Sequence, residues 1–178
     1  MHDTPPALAR LIAAIDALSA AMGHAAAVAT SAVVLLTAGL VLAFSFGKGS
    51  VPVQDAILWL NATLVLLGLS YALKTGSHVR IDVLSAHWSA KTRARVELAG
   101  IVLLLWPFAG AIGLLSVDYV AASWRISERS GSSGGLAGLW LVKTLLPAGA
   151  ALLALQGLAE ALRALPVALG RAPAGRDA

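Results

Sequence analysis

The chain has 178 residues, 58% of them hydrophobic and 12% charged, with a net charge of +4 and no cysteine. Soluble domains carry about 25% charged residues, and a small one cannot hide this much apolar surface from water. The composition therefore excludes an ordinary water-soluble enzyme and a disordered chain and points to lipid as the solvent. The missing cysteines exclude disulfides, thiolate metal sites and cysteine nucleophiles.

In chain order, the N-terminal segment does not read as a signal peptide: no cation precedes Arg10, and Asp16 interrupts the first apolar stretch. As a helix, residues 5–22 bring Leu8, Leu11, Ile12, Ile15, Leu18 and Met22 within an arc of about 120°, with Arg10 and Asp16 off it. The expectation is an amphipathic helix lying on the inner leaflet before the first span; the alternative is an alanine-rich extension of that span.

Stretches free of Asp, Glu, Lys and Arg then cover 17–47, 56–73, 98–117 and 144–159, the last running back to Leu136 if Lys143 is tolerated near an end. A membrane helix needs about 20 mostly apolar residues. The expected spans are 25–46, 53–74, 98–119 and 138–161. A barrel would alternate apolar and polar residues, and Val33-Val34-Leu35-Leu36 and Ile101-Val102-Leu103-Leu104-Leu105 do not. The expected fold is thus an all-α membrane protein, with a single four-helix domain over 1–165 and a disordered tail over 166–178.

The connections fit. Phe46 to Ser50 is a short glycine turn, so spans 1 and 2 are antiparallel neighbours, and Pro52 suits the first turn of span 2. Pro107 and Pro147 predict kinks in spans 3 and 4. Gly131 to Gly135 reads as a flexible turn. Nine Lys and Arg lie in the two tails and the loop between spans 2 and 3, against four in the other loops. The positive-inside rule then predicts both termini cytoplasmic.

The middle thirds of the spans hold no ionisable group; Asn61, Thr63, Thr37 and Ser70 are the strongest polar groups there and are expected to bond between helices. A transporter acting alone usually carries ionisable groups at that depth, so an obvious translocation site is missing. His2, His24, His78 and His87 are not placed to hold a membrane haem, and their spacing does not suit a metal. No phosphate-cradling or nucleophile motif occurs, so no catalytic residue, cofactor or metal is expected. Asp55 is open between a helix-dipole acid and a contact or coupling residue. Lys143 is expected to snorkel to the outer surface. Asp118, Arg125, Glu128 and Arg129 form an outer charged group that pairs internally, meets a partner or, as such groups more often do, stays solvated, and Trp124 and Trp140 bracket the outer interface.

After span 2 the sequence resembles a family. Gly76-Ser77-His78-Val79-Arg80-Ile81-Asp82-Val83 is similar to the Gly-x-His-(Ile/Val)-Arg-Val-Asp signature of the small integral-membrane (DctQ-type) subunit of TRAP (tripartite ATP-independent periplasmic) transporters. Asp55, thirteen residues before Gly68, matches the second acid of the family's Ser-Glu-Glu start of span 2. Ser127-Glu128-x-Ser130, Gly134-Gly135-Leu136, Trp140, Lys143 and Pro147 resemble its last outer loop and fourth helix. The resemblance runs over about 40–162. Gln54 replaces the first family acid, and Leu58 stands where many members carry Arg, so any contact made there differs in this chain.

The resemblance implies a non-catalytic multi-pass scaffold in the bacterial inner membrane. Its partners would be lipid, a large permease subunit working as an elevator, and a periplasmic solute-binding protein that it helps to dock, with no nucleic acid. The complex would take up organic anions such as carboxylates by ion-driven symport. Asp55, Trp59, Asn61, His78, Arg80, Asp82, Glu128, Arg129 and Lys143 are the subunit-contact or structural candidates. Arg80 and Asp82 would brace the inner loop by a local ion pair, a contribution of at most about 1 kcal/mol. Gly39, Gly100, Gly110, Gly113, Gly149 and Gly157 would allow close packing against another subunit. The alternatives are a self-sufficient four-helix transporter acting as a homodimer and a membrane enzyme or redox anchor. The first predicts transport by this chain alone, and the second intramembrane histidines or a polar catalytic cluster.

Overall fold

A computed structural model describes residues 6–76 and 88–170. Four apolar helical rods, each long enough to cross a membrane, make up the described part. The first is α1 (Pro6–Ser45) and the second α2 (Val51–Lys74). The third is an unbroken run of α3 (Ala90–Gly100), a π-helical turn (Ile101–Leu105) and α4 (Trp106–Arg125). The fourth is α5 (Leu139–Ala168). Even span number puts the 46–50 and 126–138 loops at one end, the loop end. The start of α1 and the close of α5 lie at the other, the tail end.

The rods outrun the expected spans because hydropathy reports where lipid is tolerated, whereas a helix ends only at a breaker. No proline falls between Pro6 and Ser45, and alanine and leucine favour helix throughout. Residues 6–22 are therefore helical but form one rod with span 1, which is the extension and not a separate interfacial helix. At about 1.5 Å per residue α1 is about 60 Å long, twice the hydrocarbon thickness. Its inward residues run Leu8, Ile12, Ile15, Ser19, Met22, Ala26, Ala29. That alternating four-and-three spacing is a left-handed packing seam. Leu11 and Leu18 of the expected arc lie outside the seam and are exposed.

α1 ends at Gly47, whose φ of 70° permits the left-handed cap. The Lys48 and Gly47 amides bond back to the Ala43 and Phe44 carbonyls. α2 then returns against α1, as expected, with Pro52 in its first turn. Tyr71 lies flat over Gly23, where a Cβ would run into its ring.

Pro107 has no N–H for the Leu103 carbonyl, and its ring would crowd that carbonyl. The helix responds by widening: Trp106 N–H reaches the Ile101 carbonyl, one residue further back than in an α-helix. The indole of Trp106 thereby turns toward α5 and donates to the Ala154 carbonyl at 3.3 Å.

α5 is the hub and touches all the other helical elements, whereas α2 and α4 make no broad contact with each other. Two glycines permit this. A Cβ on Gly149 would lie 2.9 Å from the Leu66 carbonyl oxygen of α2, and one on Gly157 would lie 2.7 Å from Leu105. Gly149, Gly157 and Gly113 thus pack within the chain, while Gly39, Gly100 and Gly110 face open space. α5 continues through Pro166 to Ala168, beyond the expected start of the tail at 166. It is held there by Ala94 and Leu98 of α3 around Ala164 and Ala168. Arg95 donates to the Ala168 carbonyl at 3.2 Å, answering an orphan acceptor of the helix end.

Candidate functional site

Polar groups concentrate at the two ends of the bundle. At the loop end, α4 finishes in a Schellman turn: Glu128 N–H bonds the Ser123 carbonyl and Ser127 N–H the Trp124 carbonyl, both at 3.1 Å. Ser127 occupies the left-handed position, at φ 47°. The chain then folds back on itself. Ser130 N–H bonds the Leu136 carbonyl at 2.9 Å, Arg129 bridges Ala137, and Leu139 N–H bonds the Glu128 carbonyl at 3.0 Å. Gly135 N–H closes the tip onto the Ser132 carbonyl. Residues 131–135, expected to be a flexible turn, are a tied one.

Asp55 locks this loop to the bundle. It is 5% exposed, and its Oδ2 accepts the Leu136 N–H at 2.9 Å across 81 positions of sequence. A Cβ on Gly135 would collide with that oxygen and with Ser130. Glycine at 135 is what lets the backbone reach the carboxylate. To the two roles open for Asp55 the structure adds a third, a tether within the chain.

Lys143 turns back to the 126–138 loop at the loop end. Its ammonium lies 2.5 Å from Glu128 Oε2 and 4.0 Å from the Tyr119 ring centroid. The Lys143 hydrogen bond, before any other cause, holds the Glu128 carboxyl below its usual value. The Ser123 hydroxyl, buried beside it, lowers the Glu128 carboxyl further. Trp124 and Trp140 meet at 4.1 Å, and the Trp124 indole donates to Thr144. Asp118, Arg125 and Arg129 are exposed and make no ion pair among the described residues.

At the tail end a second cluster joins α1 and α5. Gln156 of α5 is fully buried; its Oε1 accepts from Ser19 at 2.7 Å, and its amide donates to Asp16 at 3.2 Å and Glu160 at 2.8 Å. Arg163 pairs with both carboxylates, with Glu160 at 2.6 Å and also with Asp16. Lys74 at the end of α2 donates to the Asp16 carbonyl at 3.0 Å. The apolar arc of residues 5–22 leaves Asp16 off it, and the sequence expectations give Gln156 no role. The available signal was an amide in an apolar stretch, followed by an acid four residues on and a base seven on.

The remaining candidates are scattered. Trp59 is half-buried, and its carbonyl accepts from Thr63. Ser70 is buried and bonds its own helix at Leu67. Asn61, expected to bond between helices, is exposed, and its side chain makes no hydrogen bond among the described residues. α1 and α5 meet the other faces of α2, which turns Asn61 outward. His78, Arg80 and Asp82 lie outside the described residues. Among the described residues no group of His, Asp and Glu is arranged to hold a metal.

A family model described as "Tripartite ATP-independent periplasmic transporters, DctQ component" matches residues 32–167. It takes in both loops of the loop end and all of α2 and α4. Nothing matches among curated proteins or among solved structures.

Proposed function

The chain belongs to the DctQ family, the small permease subunit of tripartite ATP-independent periplasmic transporters, and from that premise we propose that it is the static, non-catalytic scaffold of such a transporter. It supports a large elevator subunit, helps dock a periplasmic solute-binding protein, and serves ion-driven symport of organic anions such as carboxylates. It sits in a bacterial inner membrane with both termini cytoplasmic, which puts the tied 126–138 loop on the periplasmic side.

The observation that carries this reading is where the polar groups go. The buried acids, amide and base of the described spans are tied at the two ends, and no Asp, Glu, Lys or Arg lies in the middle of a described span. An ion or substrate path needs polar groups at mid-depth that can be released and retaken. Interlocked ends and a hub helix seated on backbone-close glycines are what a fixed wall needs instead.

The test is uptake of a labelled organic anion into proteoliposomes holding the large permease, with its binding protein added. Uptake is expected only when this chain is present, and none from this chain alone. Transport by this chain alone, or full transport without it, would overturn the scaffold reading.

A further inference from the structure

We propose that the outward face of α2, formed by Gln54, Leu58, Asn61 and Val65, is the seam on which a membrane helix of the large permease subunit packs, with the Asn61 amide bonding across it. This rests on the proposed function and adds where the partner sits.

Asn61 lies near the middle of α2, about 15 Å of helix from its start. It is exposed on the isolated chain and makes no side-chain hydrogen bond among the described residues. An amide facing hydrocarbon leaves donors and an acceptor unmet, where no water can answer them. Threonine escapes this problem by bonding the backbone carbonyl four residues back, as Thr63 does; the Asn61 amide makes no such bond among the described residues.

The large exposed side chains elsewhere differ in kind. α4 shows Leu114 and Leu115, and α1 shows Val34, Leu35, Val41 and Leu42, apolar groups that lipid satisfies, with the small Thr37 hydroxyl exposed among them. On α2 the exposed positions 54, 58, 61 and 65 repeat by four, three and four, the spacing of a helix seam. Among the described residues nothing covers them: all four are exposed, and α2 makes no broad contact with α4. A partner helix that supplies a hydroxyl, amide or free carbonyl opposite Asn61 completes both the packing and the bond.

The chain has no cysteine, so one photo-crosslinking residue can be placed at a time in the complete transporter in native membranes. Positions 58, 61 and 65 are expected to yield adducts with the large permease at least fivefold above positions 114 and 115. Adducts to the large permease that come instead from 114 and 115 would overturn the α2 seam and leave the scaffold reading standing. So would adducts from α2 to a second copy of this chain or to lipid alone. A wild-type preparation without the large permease would overturn both. Asn61→Leu is expected to lower the large permease retained in detergent by about threefold, with Asn61→Gln recovering part of it and both variants at wild-type membrane levels. Undiminished retention with Asn61→Leu would contradict the bond across the seam.

Discussion

The two ends of the bundle solve the same problem by different means. At the loop end, separate pairs fasten a short loop: Asp55 to Leu136, and Lys143 to Glu128. At the tail end, one fully buried amide joins α1 and α5 into a connected network of Ser19, Asp16, Glu160 and Arg163. A pair can be lost singly. A network loses several bonds when its centre goes, because the groups left behind stay buried and unmet. The tail end should therefore be the more sensitive to one substitution.

The sharpest way to break this contrast is Gln156→Leu. It keeps the volume, removes the bonds to Ser19, Asp16 and Glu160, and should cost about 3 kcal/mol, seen as a lowered thermal unfolding midpoint in detergent. A midpoint within error of wild type would mean that the tail-end network adds nothing to stability. Asp55→Ala should cost about 2 kcal/mol, since it strands one buried N–H at a charge-assisted bond. Faster proteolysis of the 126–138 loop should accompany it, and a loss larger than that of Gln156→Leu would reverse the ranking of the ends.

Acid sharpens the comparison further. The hydrogen bond from Lys143 holds the Glu128 carboxyl below its ordinary 4.5 in the folded chain. Its contribution is whole above that ordinary value and disappears as pH falls through the lower folded one. Thermal midpoints measured from about pH 6 down to about pH 3 should fall less steeply in Glu128→Gln than in wild type; parallel slopes would remove the pair from the account. The smallest effect is a gain. Ser127 holds a left-handed backbone at φ 47°, so Ser127→Gly should stabilise by about 0.5–1 kcal/mol, and a lowered midpoint would show that the Ser127 side chain contributes more than its backbone costs.

How much of this was legible in the sequence follows the same division. Four apolar rods could be read because lipid demands an unbroken apolar run, and the loop end because caps and turns are local chemistry: an acid one turn into a helix, glycines where the backbone must reverse. The motif residues Asp55, Glu128, Gly135 and Lys143 do converge at that end. The tail end was illegible because Ser19 and Gln156 are 137 positions apart, and no local pattern reports which helix faces which. The lengths of α1 and α5 were missed for a related reason, since packing of one helix on another prolongs them beyond the lipid. The proline at 107 announced a distortion but not its form, a π turn that aims Trp106 at α5.

The central claim is that this chain is a fixed part of a larger machine. The most direct test is affinity purification of the tagged chain from its native membrane in mild detergent, with mass spectrometry of what accompanies it. The account predicts a larger multi-span permease in constant ratio to the chain. A folded chain recovered alone or only with copies of itself would contradict it.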